Sequence, residues 1–307
     1  MQTYLSSFTD QNLTQEIARL RLPYDKIVAG QYTNHQIQQS IVHSHPYHEY
    51  IYMISGRASY HVNGSRYELH PGEFLLIPAE TVHSGFYQNY TRLILQIDST
   101  FWQETLALAG LVSDSYTPVR QLLIFQSPAA SKWSVQNLIE RAAVLSGIED
   151  LPDKELLQRT LLIELSAVIH RMMVEHGMGK PSATSPLVAS ATAYIQEHFR
   201  DPDLTVRQLA QHAYVSREHL SRAFKEYTLQ TVQEYITGLR MQSCRRDIAA
   251  GKHILNACLE NGFSNYTSFL KSFRKRYGIT PQEYRTQLRN ALNSSFPDPP
   301  FHQAEKP

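Results

Sequence analysis

The chain has 307 residues, enough for two domains with a core each. Its 42% hydrophobic and 19% charged content is that of an ordinary globular protein and excludes a low-complexity or collagen-like chain. The net charge of +1 conceals an asymmetry: residues 187–290 hold 15 Lys+Arg against 9 Asp+Glu, a surplus of +6, while the rest carries −5, so the C-terminal part suits a polyanionic partner.

The start, Met1 to Asp10, has no basic segment followed by an apolar one, so no secretory signal is expected. Short β-branched and aromatic runs follow: Ile27 to Tyr32, Tyr50 to Ile54, Ala58 to Val62, Phe74 to Ile77 and Leu93 to Ile97. Ser55-Gly56, Asn63-Gly64 and Pro71-Gly72 punctuate them, and Asn63-Gly64 predicts a two-residue hairpin. Many short strands at this spacing favour a small barrel or sandwich. From about Ser131 the pattern turns helical, with helices predicted over Trp133 to Leu145 and Pro152 to His176. Leu157, Leu161, Leu165, Val168 and Met172 form one apolar stripe on the second, widened by Leu156, Ile163 and Ile169. Two readings stay open for that stripe, packing on its own barrel or a dimer seam. Gln158, Arg159, Glu164, His170 and Arg171 interrupt it, so no membrane span is predicted. Residues 177–186, GMGKPSATSP, read as a linker, and residues 291–307 as a disordered tail. Cys244 and Cys258 lack paired metal spacing, which fits a reducing cytoplasm.

The C-terminal part repeats itself at an offset of 49 residues. Ser216, Leu220, Arg222, Phe224 and Lys225 align with Asn265, Phe269, Lys271, Phe273 and Arg274; Thr231, Gln233, Glu234 and Tyr235 align with Thr280, Gln282, Glu283 and Tyr284. Each copy reads as helix, turn, helix. Val206 to His212 leads into a helix capped by Ser216, and Asn256 to Glu260 into one capped by Asn265. Val232 to Ala250 reads as one long helix between the copies. One basic amphipathic helix is more often a solvated face, but two matched copies with caps and same-face bases point to duplex DNA, with each second helix in a major groove.

LTVRQLAQHAYVSREHLSRAFKEYTLQTVQEYITGLRMQSCRRDI and ILNACLENGFSNYTSFLKSFRKRYGITPQEYR resemble the two units of AraC/XylS-type transcriptional regulators. The resemblance covers Leu187 to Arg289. It departs at Leu229, where the family has a glycine, at Ala257 and Cys258, and at Asn261. It implies that Glu218, Ser221 and Arg222 approach bases in one groove and Thr267 and Lys271 in the other. Arg217, Lys225, Arg274 and Lys275 would then touch phosphates. Ser216, Asn265 and Tyr266 complete the expected DNA-facing set.

The segment HSHPYHEYIYMISGRASYHVNGSRYELHPGEFLLIPAETVHS resembles the cupin barrel fused to many such regulators. His43, His45 and Glu49 keep the H-x-H-x-x-x-E spacing, and Gly72, Pro78 and His83 match the second motif, with Glu80 in place of its glycine. Alternation puts His43 and His45 on one strand face, and with Glu49 and His83 they could hold a divalent transition metal. The same resemblance allows these residues to serve as polar groups of an effector pocket, and that is the reading adopted: no cofactor is assigned, and His43, His45, Glu49, Tyr52 and His83 are expected to bind a small polar effector. Together with Tyr52, the residues Tyr47, Tyr50, Tyr60, Tyr67 and Tyr87 make the sensor tyrosine-rich, which suits a carbohydrate; the alternative, favoured for any one of them, is that it packs strands.

The expected protein is α+β with two domains. Residues 1–176 form a cupin-like barrel with following helices that senses the effector and dimerises, and residues 187–290 form an all-α double helix-turn-helix. It regulates transcription as a cytoplasmic homodimer on double-stranded DNA. The alternative is a metal-dependent cupin enzyme carrying a DNA-binding domain. No nucleophile constellation or phosphate-binding glycine loop is present, so no catalytic residue is assigned.

Overall fold

The computed structural model describes residues 8–9, 26–40, 42–111, 122–148, 150–177 and 183–295. The chain divides into two compact units, Met1–Tyr194 with Val206–Tyr235, and Ile195–Thr205 with Ile236–Pro307.

The first unit is built on one sheet. Its strands are β1 (Phe8–Thr9), β2 (Ile27–Asn34), β3 (Gln38–Gln39), β4 (Tyr47–Val62), β5 (Ser65–Leu69), β6 (Phe74–Ile77), β7 (His83–Asp98), β8 (Leu123–Phe125) and β9 (Ala183–Thr184). They run β1-β2-β7-β4-β5-β9, with β6 paired to β4 and β8. The frame is the antiparallel pair of β4 and β7, in register from Tyr47 opposite Asp98 to Val62 opposite His83. The expected turn at Ser55-Gly56 is instead a pair of irregularities inside one long strand. Pairing to β7 continues through it because Gly56, at φ +84, admits the carbonyl of Asn89; a Cβ there would lie 1.9 Å from that oxygen. The Asn63-Gly64 hairpin forms as expected, both residues at positive φ (48° and 75°), as a type I′ turn requires. Ala183–Thr184, within the stretch read as linker, pair with Ser65 and Arg66 at the sheet edge.

Strand alternation then sorts side chains onto two faces. Tyr50 and Tyr52 of β4 and Leu93, Leu95 and Ile97 of β7 face the helices α1 (Ser99–Leu108), α2 (Ser127–Lys132), α3 (Val135–Gly147) and α4 (Lys154–His176). Ile51, Met53 and Tyr60 of β4 and Tyr87, Tyr90 and Ile94 of β7 face the barrel interior. The stripe on α4 joins the helix-side core: Leu161, Leu162, Leu165, Ile169 and Met172 are buried with the β7 leucines. Leu161 therefore belongs to the chain's own core and not to an exposed seam, while Leu156 and Leu157 are exposed.

Helices follow: α5 (Pro186–His198), α6 (Val206–His212), α7 (Arg217–Thr228), α8 (Val232–Ala249), α9 (Ile254–Glu260), α10 (Tyr266–Tyr277) and α11 (Pro281–Ser295). The first helix-turn-helix, α6 and α7, buries Leu209, Ala210, Leu220 and Phe224. In the second unit, α9 and α10 bury Ala257, Cys258, Phe269 and Phe273. Asn261, read as a packing departure, is fully buried and satisfied there. Its Nδ2 donates to Asp247 Oδ2 (2.7 Å) and the Ala257 carbonyl (2.8 Å), and its Oδ1 accepts from Arg200 Nε (3.3 Å). The stretch read as a tail is helical to Ser295; its remainder lies outside the described residues.

Candidate functional site

Three of the polar groups expected in the barrel reach one point by different backbone routes. Glu49 is on β4, His83 opens β7, and His43 lies between β3 and β4, outside any strand, but is held beside His83 by a two-way backbone bridge, His43 N to His83 O (2.9 Å) and His83 N to His43 O (2.8 Å). His45 is fixed by Glu80 N donating to its carbonyl (2.7 Å). Glu80 is at φ 60, the left-handed geometry of the glycine it replaces. One ligand atom each of His43, His45 and His83 lies within 4.8 Å of the others.

The tautomers follow from the hydrogen bonds. His45 Nδ1 is 2.9 Å from the Tyr47 carbonyl and His83 Nδ1 is 2.8 Å from the Thr81 carbonyl. A carbonyl only accepts, so both Nδ1 atoms carry a proton, and in its neutral form each ring turns an Nε2 lone pair inwards. Those Nε2 atoms are buried and make no hydrogen bond of good geometry, though they stand 3.5 and 3.4 Å from Glu49 Oε2. Burial pushes the Glu49 carboxyl up, but His45 and His83 outweigh it and hold it well below the ordinary carboxylate range. Burial lowers His45, and Glu49 more than offsets this, leaving it raised. The centre is thus an ionised carboxylate facing imidazole nitrogens, and it attracts a positive charge. Ligands about 2.0–2.2 Å from a tetrahedral ion stand about 3.3–3.6 Å apart, so the Glu49–His45 and Glu49–His83 distances suit a divalent metal as well as a proton.

Tyr52 is not part of this centre. It lies on the opposite face of β4, packed with the helix-side core, because Glu49 and Tyr52 differ by an odd number of positions. Tyr50 shares that face, whereas Tyr60 and Tyr87 face inwards. Gln96 and Arg92, absent from the sequence reading, do face the interior. Gln96 Nε2 donates to Glu49 Oε1 (3.1 Å), and Arg92 donates to the Tyr60 hydroxyl (2.7 Å). Polar residues two positions either side of Ile94, in an apolar strand, were the available signal.

Both predicted helix caps form in the helix-turn-helix units. Ser216 Oγ accepts from His219 N (3.1 Å) and Asn265 Oδ1 from Ser268 N (2.8 Å). Arg217, Glu218, Arg222 and Lys225 on α7 are exposed and Ser221 is half-buried; Tyr266, Thr267, Lys271, Arg274 and Lys275 on α10 are exposed. The repeat extends to the next caps. Thr231 N donates to Glu234 (2.8 Å) and Glu234 N to Thr231 Oγ1 (3.1 Å); Thr280 and Glu283 do the same at 2.7 and 3.2 Å.

Residues 209–287 match the family described as "Helix-turn-helix domain", and residues 35–88 match "Cupin domain". The HTH-type transcriptional regulator ArgR of Pseudomonas aeruginosa is 32% identical over 117 residues, 37% of this chain and 35% of that protein. The chain thus spans about a third of the length of that relative. An uncharacterized HTH-type transcriptional regulator of Bacillus subtilis, YobQ, is 24% identical over 255 residues, 80% of this chain and 89% of that protein. Among solved structures, ToxT from Vibrio cholerae covers 85% of this chain and 98% of its own, at 12% identity and a TM-score of 0.41.

Proposed function

We propose that this chain, an AraC/XylS-type transcriptional regulator with an N-terminal cupin domain, binds double-stranded DNA through residues 187–290 and alters that binding when a small molecule occupies the barrel of residues 1–176. It is a regulator and not an enzyme. The observation that carries the DNA-binding reading is the duplicated helix-turn-helix, with equivalent caps on α7 and α10 and basic side chains on both outer faces. Glu218, Ser221 and Arg222 would read one groove and Thr267 and Lys271 the other, while Ser216, Arg217, Lys225, Asn265, Tyr266, Arg274 and Lys275 fix the helices on the backbone. No helix among the described residues is long and apolar enough to cross a membrane, and a cytoplasmic site of action is part of the proposal.

The effector would bind where His43, His45, Glu49 and His83 converge, a small polar molecule with a carbohydrate as the class suited to the inward tyrosines. The Nε2 geometry supports a second reading of the same centre: these four residues would hold a divalent metal, which would supply a Lewis-acid site for an oxygen ligand. A homodimer formed by the helices between Ser131 and His176 completes the proposal, through side chains left exposed there, such as Leu156 and Leu157. The test is a DNA titration of full-length protein with and without candidate sugars, together with metal analysis after purification without added metal. Glu49→Gln should abolish the sugar response and leave basal DNA affinity intact. Metal bound at near one equivalent and lost in Glu49→Gln would favour the second reading, and no response in any condition would reject the effector role.

A further inference from the structure

We propose that Arg92 selects the charge of the barrel ligand, and that the ligand is a small acid whose carboxylate docks on this guanidinium. The inference rests on the reading that the barrel holds an effector, and narrows its class from carbohydrates in general to one that carries a carboxylate.

Arg92 sits mid-way along β7 with its side chain 3% exposed. A buried guanidinium ordinarily has a carboxylate beside it, because desolvating the charge is otherwise unfavourable. Among the described residues Arg92 makes no ion pair. One terminal nitrogen donates to the Tyr60 hydroxyl at 2.7 Å, and the guanidinium carbon lies 3.9 Å from the Tyr87 ring centroid and 4.8 Å from that of Tyr90. Its Nε is buried with no hydrogen-bond partner. Aromatic faces attract a cation, but neutral rings and a neutral hydroxyl replace only part of its hydration. Five N–H donors in a planar fork, incompletely used, match the two oxygens of a carboxylate.

The position ties this cation to the polar centre. Arg92, Ile94 and Gln96 share the interior face of β7, paired with Met53, Ile51 and Glu49 of β4. Gln96 binds Glu49 at one end of that row and Arg92 stands at the other. A ligand held at the histidine and Glu49 end by neutral oxygens would meet Arg92 with an anionic group. Glu49 repels a carboxylate at its own end, so the two charges also fix the ligand's direction.

Thermal unfolding of the full chain in sodium acetate against sodium chloride, at equal ionic strength and pH, tests this with acetate as the probe and galactose as the neutral control. At about ten times the half-saturating concentration, acetate should raise the Tm of the wild-type chain by about 2–4 °C. Arg92→Met should abolish that rise. Should Arg92→Met fail to fold, Tyr60→Phe serves instead: it frees one guanidinium N–H, and the acetate concentration needed should fall several-fold. Equal Tm values in acetate and chloride, an acetate response kept by Arg92→Met, or one unchanged by Tyr60→Phe would overturn the proposal. So would stabilisation by galactose alone, lost in Glu49→Gln and kept in Arg92→Met, while the effector reading would stand. An acetate response that depends on Arg92 but leaves DNA affinity unaltered would keep the carboxylate site and remove the effector reading.

Discussion

Leu229 shows what a single position costs when its backbone is fixed by its surroundings. It follows α7 at φ 57 and donates its N–H to the Lys225 carbonyl (2.9 Å). Gly278, 49 residues on, does the same after α10 at φ 73, bonded to Arg274. A left-handed residue with a Cβ is disfavoured by about 1–2 kcal/mol, and the Leu229 side chain is partly exposed, so little burial offsets this. Leu229→Gly is expected to raise stability by roughly 1 kcal/mol, read as an increase in the midpoint of denaturant unfolding at unchanged slope. His48 carries the pH argument. It is buried against Trp102, and its Nδ1 accepts the Ala79 N–H at 3.1 Å. Burial, with a smaller contribution from His45, lowers its pKa from 6.5 to about 4. Between those values the unfolded imidazole takes up a proton that the folded one refuses. The unfolded state thus binds more protons, and stability falls as pH drops from 6.5 towards 4. The full loss from this residue is about 3 kcal/mol. His48→Gln should flatten the curve of unfolding free energy against pH in that window; an unchanged slope would show that His48 is not its source.

At the scale of elements, α7 and α10 occupy equivalent places in the two copies of the repeat, and on the proposed reading their outward residues separate by role. Arg222→Ala should weaken binding to a selected site by roughly 1–3 kcal/mol while changing random-sequence binding little, if the side chain reads a base. Lys225→Ala should weaken both alike and reduce the salt dependence by about one phosphate contact. Parallel titrations on specific and random duplexes distinguish the two, and an equal loss for Arg222→Ala would move it to the backbone. The helix α4 gives the opposite lesson. Its stripe is filled by the strands of its own unit, so Leu161→Asp places an unpaired charge in the core and should destabilise the unit by several kcal/mol, seen as loss of the cooperative unfolding transition. The substitution therefore reports on folding and says nothing of association.

For the whole molecule, the charge split has a functional counterpart: the surplus of +6 lies in residues 187–290, where both basic outer faces are found. Binding of the full chain to DNA should weaken steeply with salt through counterion release. Association belongs to this scale too. Leu157 is 42% exposed on α4, so Leu157→Glu should leave the unfolding midpoint within about 0.5 kcal/mol of wild type yet shift the light-scattering mass from dimer to monomer. A wild-type chain that is already monomeric at high concentration, with DNA and ligand present, would dispose of the dimer.

The sequence by itself determined the class of the protein and the duplicated DNA-binding unit. Helix caps, the 49-residue repeat and the Asn63-Gly64 turn are local, and local preferences survive folding because few neighbours compete with them. It also brought out His43, His45, Glu49 and His83 through motif spacing, although His43 and His45 lie between β3 and β4 and not on one strand face as alternation suggested. What it left open depended on partners distant in the chain. Whether Leu161 met its own barrel or a second copy, which way Tyr52 pointed relative to Glu49, and whether Ser55-Gly56 turned or bulged were decided only when β4 paired with β7 across some forty residues. Arg92 was legible as a residue but not as a site. Its isolation from any carboxylate among the described residues exists only once the sheet has curled around it, because burial and the absence of a counter-charge are properties of the packed interior and not of neighbouring positions in the chain.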